Sequence, residues 1–481
     1  MKLFWSFICL IIFQVNLAQQ KWFSKFGWWG VDIGNDVVET LDGHFLVTGY
    51  TSSFSNGNSD VLISKVHKNG WEMWTKHYGG INNDIGKALV STADSGFVIA
   101  GYTNSFGNGG YDGLLIKINK LGDTIWTRTF GGVDWDFFNA VQQTSDKGFV
   151  MGGYSYSNSN GAKDVWIVKT DSTGNLQWEK RWGGFLDDEI VSVEILHDNR
   201  IACFGTTYSF SDNKGNYFIY KTNINGDSLF FKDFGYSNLE DIGYDFFERP
   251  IDSAFVICGS SQSPFNTDTM YYHQMVVDSV GNVMADKKES QGQLKNQIAY
   301  TNAYLNGYKH YSIYDLWGQG QGKHEPGIYV FTNQWFLDGG TYGSSENDYL
   351  LSCRRTSDKG LVAVGYTTGF NAKQEDVFIV KLDSTLDNAN NVVSVDIKEK
   401  KMSLNIYPNI ASDYIYIDLN KMANSISVMV FDMQGRKLKE WKIASTSEQL
   451  DISELEEGIY LIYVRVNNNV FTGKFIKKSL F

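Results

Sequence analysis

Residues 88–130 read ALVSTADSGFVIAGYTNSFGNGGYDGLLIKINKLGDTIWTRTF. Four short apolar runs lie in this stretch, at 88–93, 96–103, 113–119 and 124–130. Runs of this length, rich in β-branched and aromatic residues and bounded by Gly, Asn and Asp, predict strands. Asp94-Ser95-Gly96 separates the first two, and Gly122 separates the last two; both are tight-turn sequences.

The same text recurs along the chain. GYTSSF starts at Gly49, GYTNSF at Gly101, GYSYSN at Gly153, GTTYSF at Gly205, GSSQSP at Gly259 and GYTTGF at Gly365. The spacings are 52, 52, 52, 54 and 106 residues, the last being two periods of 53. The remaining copy is expected near Gly307, in GYKHYSIYDL. The Asp turn repeats at Asp42, Asp146, Asp198, Asp252 and Asp358, and the hairpin Gly at Gly70, Gly174, Gly226 and Gly281. Four strands per period of about 50 residues is the pattern of a β-propeller blade.

Complete four-strand sets begin near Val37, Ala88, Ala140, Val191, Phe246 and Ile298. A seventh begins near Leu350 and stops after 376–384, one strand short. The missing strand, of type WTRTFGG, stands at the other end of the chain as KWFSKFGWWG (21–30). The expectation is an all-β chain: a seven-bladed β-propeller over 21–386 whose N-terminal strand closes the last blade. Closure removes the open edge that a linear array leaves. An open β-solenoid is the rival, and it gives no reason for complementary ends.

Composition bounds the function. The 481 residues carry 42 Lys plus Arg against 54 Asp plus Glu, a net charge of −12. That balance argues against a nucleic-acid binder, which needs a basic face. Residues 1–18, MKLFWSFICLIIFQVNLA, place one Lys before an apolar run and a small residue, Ala18, at the end. The run is too short to span a bilayer and reads as a secretory signal peptide. No other stretch approaches 18 apolar residues, so no transmembrane span is expected in the mature chain. Cys203, Cys258 and Cys353 then remain, an odd number, and read as buried small hydrophobes rather than a disulfide.

Two acidic columns follow the repeat. Asp32, Asp84, Asp136, Asp188, Asp241 and Asp348 stand in the GGxxxD loop leading to each innermost strand. A ring of carboxylates on one face is a candidate calcium site. The structural alternative is that each Asp accepts backbone N–H bonds at a blade junction. Asp60, Asp112, Asp164 and Asp376 open the third strand, with Asn216 in the fourth blade. Lys65, Lys117, Lys169, Lys221 and Lys381 follow five residues later, on the opposite sheet face. Trp28, Trp29 and Trp135 stand beside the first column; exposed, they would stack on sugar rings, and otherwise they pack between blades.

No catalytic motif stands out. The seven His are scattered, and HExxH, GxSxG, a Walker loop and CxxC are absent. No cofactor other than calcium at the Asp ring is expected. The least regular region, 286–326, reads equally as a specificity insertion or a divergent blade.

After Asp387 the text changes. Residues 387–401 read as a linker, and 402–481 as a small Ig-like β-sandwich of alternating strands. This last segment carries Tyr407-Pro408-Asn409, then an Asp432 turn ending in Gly435-Arg436, then Gly458-Ile459-Tyr460, and ends with Lys477 and Lys478. In that order the residues resemble the type A C-terminal sorting domain of type IX secretion cargo, departing from it at Ile410, where the family has Pro. The resemblance implies a type IX machinery partner and release or surface attachment outside a Gram-negative bacterium. The repeats also resemble propeller modules of such cargo, which share no single activity.

The expected function is a secreted or cell-surface, non-enzymatic binding or adhesion propeller with a glycan or protein ligand and no nucleic-acid partner. The alternatives are a secreted carbohydrate-active enzyme with a carboxylate site in the channel, and a purely structural surface protein.

Overall fold

The turns fall where Gly and Asp place them. Gly70, Gly122, Gly174, Gly226 and Gly281 sit between third and fourth strands at φ of 92°, 80°, 81°, 82° and 79°, a left-handed region open to Gly at little cost. In the first hairpin of six of the seven blades the residue after the turn Asp is also left-handed: Gly43, Ser95, Lys147, Asn199, Ser253 and Lys359. The Asp carboxylate holds this turn. Asp94 Oδ1 accepts from Thr92 Oγ1 at 2.5 Å and from Gly96 N at 3.1 Å.

The computed structural model describes residues 21–53, 55, 58–210, 214–265, 269–289, 298–317, 324–332, 336–383, 404–408, 410–419, 426–432, 437–443, 447–466 and 469–478. Their strands form seven four-stranded antiparallel sheets and two further sheets at the C-terminal end. Blade 1 runs through Asp32–Glu39, Phe45–Thr51, Asp60–Val66 and Glu72–Tyr78, and blades 2 to 6 repeat that order. Blade 7 takes Asp348–Arg355, Leu361–Thr367 and Asp376–Leu382 from the chain end and Trp22–Phe26 from its start. Trp22 pairs with Lys381 and Phe26 with Val377, so the N-terminal strand supplies the outer edge. The innermost strands pack in chain order, and Asp348–Arg355 returns against Asp32–Glu39, which closes the ring.

The core lies between blades. Val37, Phe45, Val47 and Leu62 of blade 1 pack with Val362, Val364, Val377 and Ile379 of blade 7. Equivalent clusters join blades 1 and 2, and blades 6 and 7. Burial of such side chains, at about 25 cal/mol per Å² of apolar surface, is the main force holding neighbours together. Cys203, Cys258 and Cys353 are buried and unpaired within these layers.

The Lys column has a partner that strand spacing does not reveal. Lys65, Lys117, Lys169 and Lys381 each reach the turn Asp of their own blade, at 2.6 Å to Asp42, 2.7 Å to Asp94, 2.8 Å to Asp146 and 2.8 Å to Asp358. Adjacent hairpins are thereby tied at the face away from the GGxxxD loops.

Two boundaries differ from the sequence reading. The innermost strands begin at the first Asp column itself, not two to five residues later, because Asp32, Asp84, Asp136 and Asp188 already pair with Thr51, Thr103, Ser155 and Thr207 of the second strand. Gly307 is not the equivalent of Gly49. It lies in the turn between Ile298–Asn306 and Lys309–Trp317, and Tyr314 takes the position opposite the innermost strand. Of the irregular region, 298–317 forms two strands of blade 6, while 290–297 and 318–323 lie outside the described residues.

The C-terminal strands make a three-stranded and a five-stranded sheet. Ile415, Ile417 and Leu450 of one face Val428, Val430, Ile462 and Val464 of the other across one apolar core, a small β-sandwich. Tyr407, Pro408, Gly458, Tyr460, Lys477 and Lys478 fall on its strands and turns. Asn409, Gly435, Arg436, the linker 387–401 and the signal segment 1–18 lie outside the described residues.

Candidate functional site

Three layers of polar and aromatic residues lie along the ring, beginning with the first Asp column. Asp32 accepts from Thr51 Oγ1 at 2.5 Å, Ser53 Oγ at 2.8 Å and Trp28 N at 2.8 Å. Asp84 accepts from Thr103 Oγ1, from Ser105 Oγ at 2.7 Å and from Gly80 N at 2.8 Å. Asp136 repeats this with Ser155, Ser157 and Gly132 N, and Asp188 with Thr207 and Gly184 N. Asp241 takes Tyr236 N at 2.7 Å, and Asp348 takes Ser344 N at 2.5 Å. Each carboxylate is fully buried and fastens its loop to the blade beside it. The six therefore sit one per junction rather than converging on an axial ion. Among the described residues no group of three or more His, Cys, Asp or Glu side chains is arranged to hold a metal.

The second layer is the face these loops form. Antiparallel order puts the GGxxxD loops and the loops between second and third strands at the same end of every blade. At one repeat position this face presents Trp29, Ile81, Val133 and Phe185, exposed by 61, 76, 78 and 86%. Phe106, Trp135, Phe210 and Phe265 stand exposed on neighbouring loops. Trp29 is held by its indole N–H on Ser53 O at 2.9 Å, and Trp135 stands edge-on to Tyr111 at 5.8 Å. Two of the three tryptophans singled out by sequence are thus on the surface. Trp28 instead turns inward and packs on the core between blades 7 and 1.

The third layer is the central channel, which sequence reasoning missed. Every innermost strand carries one extra residue against its partner, a β-bulge, at the same place: Asn35, Lys87, Asn139, Val191, Tyr244, Tyr300 and Leu351. A bulge re-aims side chains. Asn35 Nδ2 reaches Gly86 O of the next blade at 2.7 Å, and Asn139 Nδ2 reaches Ile190 O at 2.8 Å. The bulge also explains the Gly of GYT. A Cβ on Gly49 would lie 1.8 Å from Ile33 O, and one on Gly101 1.9 Å from Ile85 O. The one available signal is that apolar alternation slips by a residue inside each innermost strand.

These bulges line a cavity of about 770 Å³ whose polar groups differ from blade to blade. Arg354 pairs with Asp36 at 3.2 Å, and Ser352 Oγ donates to Asp36 at 2.6 Å. Asp245 accepts from Ser192 at 2.9 Å and Thr301 at 3.0 Å. Burial, with the charge of Asp245 adding to it, pushes the Glu194 carboxyl up to about 8. Asp36, then burial, then Asp245 set the environment of Arg354, and the two carboxylates hold its guanidinium charged. Burial lowers the Lys87 ammonium, with Glu189 opposing it. Of the scattered His, His310 is buried and driven down to about 3 by that burial, and His324 meets Asp315 at 2.7 Å.

Residues 405–478 match the family model of the secretion system C-terminal sorting domain. The chain thus carries a type IX sorting domain behind an all-β propeller of repeated four-stranded sheets. Such a domain directs secretion to the cell surface or the extracellular space. No curated protein matches the chain. Several solved structures are similar to the chain at low identity. A fungal alcohol oxidase of the AA5 family in complex with copper is 12% identical, covering 96% of this chain and 100% of its own, with a TM-score of 0.45. The β-propeller domain of the Trilobed protease from Pyrococcus furiosus is 9% identical over 77% and 100%, at 0.42. An α-L-arabinanase from Penicillium chrysogenum complexed with arabinobiose is 11% identical over 74% and 94%, at 0.40. At these TM-scores the likenesses assign no activity. Among the described residues no helix is long and apolar enough to cross a membrane.

Proposed function

We propose that the protein is a non-enzymatic binding propeller, exported from a Gram-negative bacterium through its signal peptide and type IX domain, which holds an extracellular glycan on its GGxxxD face. The observation that carries this reading is the recurrence of exposed apolar and aromatic side chains at one repeat position: Trp29, Ile81, Val133 and Phe185, with Trp135 beside them. A repeated row of exposed apolar side chains on one face is the kind of surface that marks a binding site, where singly scattered ones do not. An aromatic ring offers an apolar face to the C–H side of a sugar. Asn82 N and Nδ2 donate to Ser105 Oγ and Asn104 O, which holds the loop carrying Ile81 against its neighbour. The mature full-length chain, screened on a glycan array, is expected to bind a restricted set of glycans. Trp29→Ala and Trp135→Ala should lose that binding without a change in thermal unfolding. A blank array would sink the glycan reading.

One observation favours a second reading, a carbohydrate-active enzyme. Glu194, its carboxyl raised to about 8, shares the cavity with Asp245, whose carboxyl burial also raises, and a pair of carboxyl groups in one cavity is what acid–base glycoside chemistry requires. Product release from a polysaccharide, abolished in Glu194→Gln, would establish it.

A further inference from the structure

The hairpin between third and fourth strands turns through a pair of Asn and Asp side chains. In blade 2, Asn119 Nδ2 donates to Asp123 Oδ2 at 3.0 Å. The same bond joins Asn175 to Asp171 at 3.0 Å, Asn223 to Asp227 at 2.8 Å and Asn282 to Asp278 at 2.9 Å in blades 3 to 5. Blade 1 departs from this pattern. Its turn keeps the backbone bonds, His67 N to Trp71 O at 2.8 Å and Gly70 N to His67 O at 2.7 Å, but the two polar positions are His67 and Trp71. Their rings stack at 4.3 Å, and His44 lies 4.6 Å from His67. Trp22 of the closing strand donates its indole N–H to Lys68 O in the same turn at 2.8 Å. Turn chemistry does not ask for this exchange, since Asn and Asp are the residues such turns favour.

The two rings meet the sorting domain. In Gly458–Val466, Ile462 and Val464 point into the sandwich core, so Tyr463 between them points outward. Tyr463 is nevertheless only 6% exposed, because blade 1 covers it. Its ring lies 5.3 Å from Trp71 and edge-on to Phe431 at 5.0 Å. Its hydroxyl donates to Glu72 O at 2.9 Å and lies 3.2 Å from Met73 O. Burial raises the Tyr463 phenol, with the charge of Glu72 adding to it. Glu72 and Met73 are half-buried in turn, whereas Ile125, Leu176, Leu229 and Met284 at these positions in blades 2 to 5 stand exposed.

We propose that the His67–Trp71 hairpin is a docking platform for the chain's own sorting domain, with Tyr463 as the side chain that seats it. The domain is thereby fixed on the closed ring rather than left to swing on residues 387–401, as a linker alone would allow. The platform stands at the end of blade 1 away from the GGxxxD loops, so docking leaves that face open, and the inference does not rest on the glycan reading. Docking uses the outer face of the five-stranded sheet. The three-stranded sheet, with Tyr407 and Tyr416 stacked at 5.6 Å and Tyr414 exposed, stays turned to solvent, where the secretion machinery can reach it.

Small-angle X-ray scattering of the intact mature chain tests the joint. The wild type is expected to scatter as one compact particle. Tyr463→Ser removes the seating ring from the surface of the domain and leaves the propeller unaltered. The double variant His67→Asn/Trp71→Asp gives blade 1 the turn residues of blade 2, a pair already shown to fold in that hairpin. Each variant should raise the radius of gyration, as the domain swings on its linker, with no fall in the unfolding temperature of the propeller. A wild type as extended as the variants would overturn the proposal, because the domain would then be free already. An unchanged radius in Tyr463→Ser would equally overturn it, because the joint would then lie elsewhere.

Discussion

Asp84 shows how much one side chain does in this fold. It is buried and accepts from two hydroxyls and one backbone N–H, joining the loop after blade 1 to the second strand of blade 2. Asp84→Ala would leave those three donors unpaired, at a cost of about 2–4 kcal/mol. A lower midpoint in urea with unchanged slope would record it. Glu194 makes the opposite kind of prediction. Its carboxyl is raised in the folded protein to about 8, above an ordinary value of 4.5, so the folded state holds the proton more tightly than the unfolded chain. The stabilisation is complete below the unfolded value and is lost as pH rises through the folded value. Stability should fall between about pH 4.5 and 8, by on the order of 2 kcal/mol after allowing for solvent in the channel. Glu194→Gln should flatten that slope in unfolding measured across pH. At this scale the Asp column was legible because it repeats, while its partners were not. Thr103 and Ser105 lie 19 and 21 residues from Asp84, and only strand pairing brings them together.

At the scale of the hairpin, turn chemistry decided most of the fold from sequence alone. The Asp turn marks the first hairpin in six blades and the hairpin Gly the last hairpin in five, because backbone geometry favours those residues. Lys147, like most residues at its turn position, is not Gly and can be improved. It sits at φ 67°, where an L side chain is strained and Gly is not. Lys147→Gly is expected to stabilise the protein by about 0.5 kcal/mol, the relieved strain being partly offset by the greater freedom of Gly in the unfolded chain. A small rise in unfolding temperature would show it. The bulges were hidden for the converse reason. An extra residue such as Asn35 or Lys87 carries no composition of its own, and its effect is only to shift alternation by one place. The channel, where the blades differ most, was therefore the part of the candidate site that sequence could not supply. The exposed face was half visible: Trp29 and Trp135 were found as aromatics, whereas Ile81, Val133 and Phe185 look like core residues until the loop is folded.

At the scale of the whole molecule, one strand decides whether the ring is closed. Trp22–Phe26 covers Asp376–Leu382, a strand buried along its whole length. Deleting residues 21–26 would expose that edge and the inner face of blade 7 together. Loss of monodisperse behaviour in size-exclusion chromatography and a lower unfolding temperature are expected. Closure was readable from sequence because the two ends are complementary, which no linear array requires. Closure also brings the GGxxxD loops to one end as a continuous face, and the central claim is that this face, rather than the channel, holds the ligand. The most direct test is a set of binding isotherms on the tightest glycan of the array for wild type, Trp29→Ala/Trp135→Ala and Glu194→Gln. The prediction is a loss of at least about tenfold, 1.4 kcal/mol, in the double tryptophan variant and none in Glu194→Gln. Full binding by the double variant with loss in Glu194→Gln would place the ligand in the channel and contradict the account.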